Sequence, residues 1–185
     1  MIFEVSITYR TMYFGYGSNL WKAQMIERCP DSEFIGLGIL RGWKWIISKR
    51  GYATVVRSPK DLVYGLVYKL SRSDEDNLDR AEHVPDWYTK KKMDIELQRS
   101  VGEEKSTALW GLVYIDRIVE EGEPLEEYID RVNKGIEDAV KEGMPEWYVE
   151  DYMRKFIPAP KAVEGEVLRH TATDAKPEEW RRTRS

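Results

Sequence analysis

The patterning of this chain predicts an α+β domain: a compact sheet or small barrel of short strands, followed by paired helices. Three observations lead there. Short β-branched and aromatic runs bounded by turn residues recur between about residues 11 and 115, and after Pro124 the apolar period becomes helical. The length, 185 residues, is about one domain's worth of chain. A 42% hydrophobic content supplies the core, while 34% charged residues leave no apolar run near the ~20 residues of a membrane-spanning helix.

The first strand is read from Thr11 to Tyr16, broken by Gly17-Ser18-Asn19, with a helix from Leu20 to about Arg28. Four strands are expected next, at Phe34–Leu40, Trp43–Ser48, Tyr52–Val56 and Leu62–Leu70. The last is apolar on both faces and therefore central. Ser71 to Glu75 has the composition of a helix start, and that helix should end near Glu82. Met93, Ile95 and Leu97 alternate with Lys92, Asp94 and Glu96, which marks a half-buried strand with a solvated start at Lys90-Lys91-Lys92. A polar connection, Ser100 to Lys105, leads to a strand from Ala108 to Ile115. Leu125, Tyr128, Ile129, Val132, Ile136, Ala139 and Val140 form one stripe of a long helix closed by Gly143. Pro145 opens a second helix burying Tyr148, Tyr152, Met153 and Phe156, stopped by Pro158. The domain is taken as residues 1–158 and the tail as 159–185, with Trp180 its candidate anchor.

A formal charge of −4 disfavours a grip on nucleic acid or an anionic membrane, and neither partner is expected. One cysteine, Cys29, allows no internal disulfide, and the N-terminus lacks a secretory pattern, so a cytoplasmic protein is expected. One Cys and two His leave no set for a structural zinc site. Chemistry must then come from carboxylates, hydroxyls and backbone amides.

Two segments offer it. Gly15-Tyr16-Gly17-Ser18 lacks the Lys-Ser/Thr of a phosphate loop and the third glycine of a dinucleotide fingerprint. It is either an ordinary tight turn or one whose N–H groups cradle a carboxylate or polarised carbonyl. Glu82 ends the acidic helix before Val84 and Trp87: solvated, it is an ordinary helix-end charge; buried, it has a raised pKa suited to proton transfer. Asp79 and Asp86 read as solvated charges. Ser18 has no Gly-x-Ser-x-Gly elbow around it.

Together, Tyr13-Phe14-Gly15-Tyr16-Gly17-Ser18-Asn19-Leu20 and, some sixty residues later, Leu78-Asp79-Arg80-Ala81-Glu82 with Tyr88 resemble the γ-glutamylcyclotransferase family. The resemblance extends through Tyr52–Val56, Ser58-Pro59, Val63–Tyr68 and the helices from Leu125 to Ile157. It implies a small mixed β-barrel with flanking helices, a γ-glutamyl small molecule as substrate, and no cofactor or metal. It assigns acid-base catalysis to Glu82 and substrate binding to Tyr13, Phe14, Gly15, Tyr16, Gly17 and Ser18, with Tyr88, Tyr114 and Tyr128 lining or closing the pocket. The implied reaction is cyclisation of the γ-glutamyl group to 5-oxoproline with release of the attached amine. A homodimer is left open.

This chain departs from the family at His83, where a glycine is usual, and at Asp86-Trp87 before Tyr88, so the departures bear on the leaving group. Trp87 is either a selector favouring bulky or apolar leaving groups or a residue packed on the terminal helices. Two readings from other classes remain: a silent ligand binder of the same fold, and an interaction module using exposed aromatics.

Overall fold

The computed structural model describes residues 9–98 and 107–161. The connection expected at Ser100–Lys105 and the Trp180 anchor lie outside the described residues. Strands β1 (Thr11–Gly15), β2 (Glu33–Ile47), β3 (Ala53–Leu70), β4 (Tyr88–Leu97) and β5 (Thr107–Asp116) close a barrel in the order β1-β3-β2-β4-β5. β1 meets β5 in parallel and the other pairings are antiparallel, so the barrel is mixed. Helices α1 (Lys22–Arg28), α2 (Arg72–Ala81), α3 (Glu126–Lys141) and the short α4 (Glu146–Tyr148) flank it. No helix among the described residues is long and apolar enough to cross a membrane.

The four strands expected between residues 34 and 70 are two long ones. Gly42, at φ 78, sits in a bulge where the pairing jumps from Arg41↔Leu62 to Trp43↔Arg57. Residues 58–61 therefore face that one bulge, and Pro59 stands exposed where no ladder bond is needed. The strand bends there instead of ending. β3 lies between β1 and β2, as its two apolar faces require.

The end of α2 delivers Glu82. Ser71 caps α2 in a capping box with Asp74, and Leu78 packs into the core. Glu82 follows as the C-cap, and His83 takes φ 50. That left-handed turn strains His83, since a side chain at positive φ meets its own backbone. α3 follows its predicted stripe except at Leu125, which is 43% exposed just before the first turn. The second helix departs further: α4 has only three residues and opens into a π-helical turn at Val149–Met153. The wider turn buries Tyr148, Tyr152 and Met153 together, with the two tyrosine rings stacked at 5.0 Å.

Candidate active site

β1 feeds the site by alternation, its successive side chains pointing to opposite faces. Phe14 goes into the barrel, where a Cβ on Gly65 would come within 2.6 Å of its ring. Tyr13 goes to the other face, edge-on to Tyr114 at 5.8 Å. After Gly15 the chain turns: the Tyr16 carbonyl accepts from the Trp45 indole at 2.9 Å, and Ser18–Leu20 form a 3-10 turn leading to α1. α3 approaches this turn closely because Gly135 has no side chain; a Cβ there would lie 2.7 Å from Leu20 Cβ. The approach sets Tyr128 over the turn. Its hydroxyl oxygen accepts the N–H of Ser18 at 3.1 Å and of Ala53 at 3.3 Å. The Gly17 N–H finds no acceptor among the described residues.

A cavity of about 190 Å³ opens between turn, barrel, α2 and α3. Its buried lining includes Tyr13, Asn19, Tyr114 and Tyr128, and its more exposed lining includes Tyr52, His83 and Trp87. Glu82 faces it with a side chain only 19% exposed. Burial raises the Glu82 pKa, against the opposing pull of Arg28, Arg131 and a hydrogen bond from Asn19. Arg28 Nη1 stands 3.8 Å from Glu82 Oε1, and Asn19 Nδ2 donates to the same oxygen at 3.4 Å. Asn19 also donates to the Tyr13 hydroxyl at 2.8 Å and accepts from Gln24 at 2.9 Å and Arg28 at 3.0 Å. One amide thus ties the turn, α1 and the carboxylate together.

The tyrosines stay protonated at neutral pH. Burial pushes Tyr128 up to about 12, and Tyr13, Tyr16, Tyr88 and Tyr114 are all raised, first by burial. Tyr88 donates to the Ala53 carbonyl at 2.9 Å and Tyr16 to that of Tyr114. No group of three or more His, Cys, Asp or Glu among the described residues is arranged to hold a metal ion.

Of the expected site residues, Tyr13, Tyr16, Gly17, Ser18, Glu82, Tyr88, Tyr114 and Tyr128 line the cavity. Phe14 and Gly15 do not: alternation sends Phe14 inward, and Gly15 is the last residue of β1. The expected row of free amides is also altered, since Tyr128 occupies the Ser18 N–H. Asn19, Arg28, Tyr52 and Arg131 join the lining unpredicted. Asn19 could have been found within the turn motif; nothing local marks Arg131, which arrives from more than a hundred residues away. Asp79 is not a solvated charge, for it accepts from the Tyr114 hydroxyl at 2.6 Å and from Lys90 at 2.9 Å. Lys90 in turn reaches Glu75, so the lysine-rich start of β4 is not uniformly solvated. Trp87 lines the cavity, with its ring against His83 at 4.3 Å and Tyr52 at 6.4 Å and the Arg50 guanidinium over it at 4.7 Å.

A closed mixed barrel with flanking helices, carrying a tyrosine-glycine-serine turn opposite a half-buried glutamate, defines the class. Residues 13–133 match the family model described as "Gamma-glutamyl cyclotransferase, AIG2-like", and the chain belongs to that family. The Gamma-glutamylcyclotransferases of Homo sapiens and Mus musculus are 32% and 34% identical to it over 83 residues. Each match takes in 40% of this chain and spans 44% of the relative, less than half its length. A solved structure titled "Gamma-glutamyl cyclotransferase" shares the fold with a TM-score of 0.68 at 23% identity, covering 94% of this chain and 97% of that one. A Homo sapiens structure described as an uncharacterized protein aligns at TM-score 0.66 and 25% identity, covering 94% of this chain and 96% of that one.

Proposed function

We propose that this protein is a γ-glutamylcyclotransferase, converting a γ-glutamyl amino acid or conjugate to 5-oxoproline and the released amine. The observation that carries the reading is Glu82, a carboxylate with a burial-raised pKa facing the same cavity as the turn at Gly17 and Ser18. The substrate's α-ammonium gives a proton to Glu82, and the freed nitrogen attacks the γ-carbonyl carbon of the same molecule. The new C–N bond closes a five-membered ring while the carbonyl electron pair moves to oxygen. Tethering makes orientation the main source of rate. When the intermediate collapses, the old amide C–N bond breaks and Glu82 gives its proton to the departing nitrogen. The restored carboxylate then takes the second proton from the ring nitrogen and passes it to the released amine, leaving a neutral lactam and an ammonium.

The oxyanion finds two donors. Gly17 offers an N–H without another acceptor, and Tyr128 offers its O–H. Because the Tyr128 oxygen already accepts two N–H bonds, its own proton is left for the cavity, and its high pKa keeps that proton in place. Tyr52, His83 and Trp87 form an aromatic wall on the more exposed side, which suits a bulky or apolar leaving group.

The test incubates the purified protein with γ-glutamyl-alanine, a bulky γ-glutamyl amino acid, γ-glutamyl-lysine isopeptide and glutathione, and follows 5-oxoproline. Release from at least one, falling about 100-fold or more in Glu82→Gln, is expected. Release from none would leave a silent binder of the same fold, and near-normal turnover in Glu82→Gln would remove Glu82 from the mechanism.

A further inference from the structure

The cavity contains more positive charge than proton transfer at Glu82 requires. Its Asp, Glu, Lys and Arg lining consists of Arg28, Glu82 and Arg131. Arg28 is engaged within the site, donating to Asn19 Oδ1 at 3.0 Å and standing 3.8 Å from Glu82. Arg131 is engaged mainly with a partner that faces solvent. It reaches over the Tyr128 ring, with its guanidinium carbon 5.2 Å from the ring centroid. Nη2 meets Glu127, one helical turn back, at 2.8 and 2.9 Å, but that carboxylate is 57% exposed. Nη1 donates to the neutral Gln24 oxygen at 3.3 Å. Nε is buried with no acceptor among the described residues.

A guanidinium offers five donors in a fork that matches a carboxylate, and a buried donor left unpaired is costly. An i,i+4 pair facing solvent is cheap to exchange. Arg131 is therefore poised to release Glu127 for a better acceptor inside the cavity. Gln24 holds it in register with the turn, since the same Gln24 amide donates to Ser18 Oγ and Asn19 Oδ1 at 2.9 Å each.

The substrate of the proposed reaction supplies that acceptor. Its α-amine and α-carboxylate sit on one carbon, so bringing the amine to Glu82 brings a second negative charge within a few ångströms of the first. Without a cation on that wall the two carboxylates repel. Resting on the γ-glutamyl reading, we propose that Arg131 exchanges Glu127 for the substrate's α-carboxylate and so restricts the substrate class to γ-glutamyl compounds in which that carboxylate is free. Compounds with an α-amide or α-ester are rejected. Arg131 is thus a specificity residue for the half of the substrate that is retained, while the aromatic wall faces the half that leaves.

The test compares binding of 5-oxoproline, which keeps the α-carboxylate, with 2-pyrrolidinone, which lacks it, by titration calorimetry on the full chain. Wild type should prefer 5-oxoproline. Arg131→Gln should weaken 5-oxoproline about 10-fold or more while leaving 2-pyrrolidinone unchanged, and Arg131→Lys should recover part of the loss. Glu127→Gln, which removes the competing carboxylate, should tighten 5-oxoproline, an effect that a merely structural Arg131 would not produce. On turnover, Arg131→Gln should raise KM for γ-glutamyl-alanine more than it lowers kcat, and should erase discrimination against the α-carboxamide analogue. Equal binding of the two lactams by wild type, or unchanged 5-oxoproline affinity in folded Arg131→Gln, overturns the proposal. So does a loss confined to the leaving-group carboxylate, seen as a changed preference for γ-glutamyl-phenylalanine over γ-glutamyl-phenethylamide with 5-oxoproline binding intact. Arg131-dependent binding of 5-oxoproline without turnover of any γ-glutamyl compound would refute the catalytic reading alone.

Discussion

Replacing Gly17 by alanine tests the turn and its contact with α3 in one experiment. A Cβ at Gly17 would stand 2.6 Å from the Tyr128 hydroxyl and 3.1 Å from Ala53 Cβ. The hydroxyl must retreat by most of an ångström. Its bonds from Ser18 and Ala53, at 3.1 and 3.3 Å, then stretch beyond useful length. A buried donor stripped of its acceptor costs about 1–3 kcal/mol, and cavity water can replace part of each bond, so the pair should cost about 2 kcal/mol. For a chain of this size that lowers Tm by roughly 4–8 °C. Tyr128→Phe loses the same two bonds without a clash and should cost a similar amount. In that background the strongest obstacle is gone, because the ring carbon that carried the hydroxyl lies 3.9 Å from the new Cβ. Gly17→Ala should then add less than about 1 kcal/mol, giving a coupling of about 1–2 kcal/mol in a double-mutant cycle. Urea unfolding followed by circular dichroism measures all four proteins. Additivity within about 0.5 kcal/mol would refute the claim that Gly17 exists to admit the Tyr128 hydroxyl.

Glu82 gives a prediction in pH. Its folded pKa is raised above 4.5, so the folded state holds a proton that the unfolded chain has released. Its contribution to stability is present below pH 4.5 and lost as pH rises through the folded value. Glu82→Gln should therefore be no less stable than wild type at pH 7, by thermal unfolding, although inactive. The acid limb of kcat/KM in wild type should lie above 4.5, since the base form is required. Asp79→Asn, which disturbs Tyr114 and Lys90, should cost about 1 kcal/mol in urea unfolding, whereas exposed Asp86→Asn should stay within about 0.5 kcal/mol. Equal effects would remove Asp79 from the support of Tyr114. Trp87→Ala should compress the ranking of kcat/KM between bulky and small leaving groups; an identical ranking would reject Trp87 as selector.

Local patterning made much of the frame legible. The helix start at Ser71–Glu75, the stripe of α3, the two apolar faces of β3 and the break after β1 each depend on neighbours in sequence, so each appears in the chain itself. The ordered motifs marked the family and named Glu82 as the candidate. Long-range events were harder to read. The gap between the expected strands Phe34–Leu40 and Trp43–Ser48 holds Gly42, and a glycine in isolation does not say whether the chain turns back or bends and continues. Phe14 looked like a site residue because motif adjacency carries no facing, yet its neighbour Tyr13 lines the cavity and it does not.

By itself, the sequence determined the α+β class, most element positions, and the two segments that chemistry could use. Those rest on periodicity, turn stereochemistry and the charge and size of single residues, all of which act over a few positions. Tertiary structure decided which face of β1 meets the cavity, that Tyr128 takes the Ser18 amide, that Asp79 supports Tyr114, and that Arg131 stands near Glu82. Each is a meeting of groups far apart in the chain, set by barrel closure and by the approach of α3 at Gly135. Polar side chains find their partners only where the packing of apolar ones has already placed them.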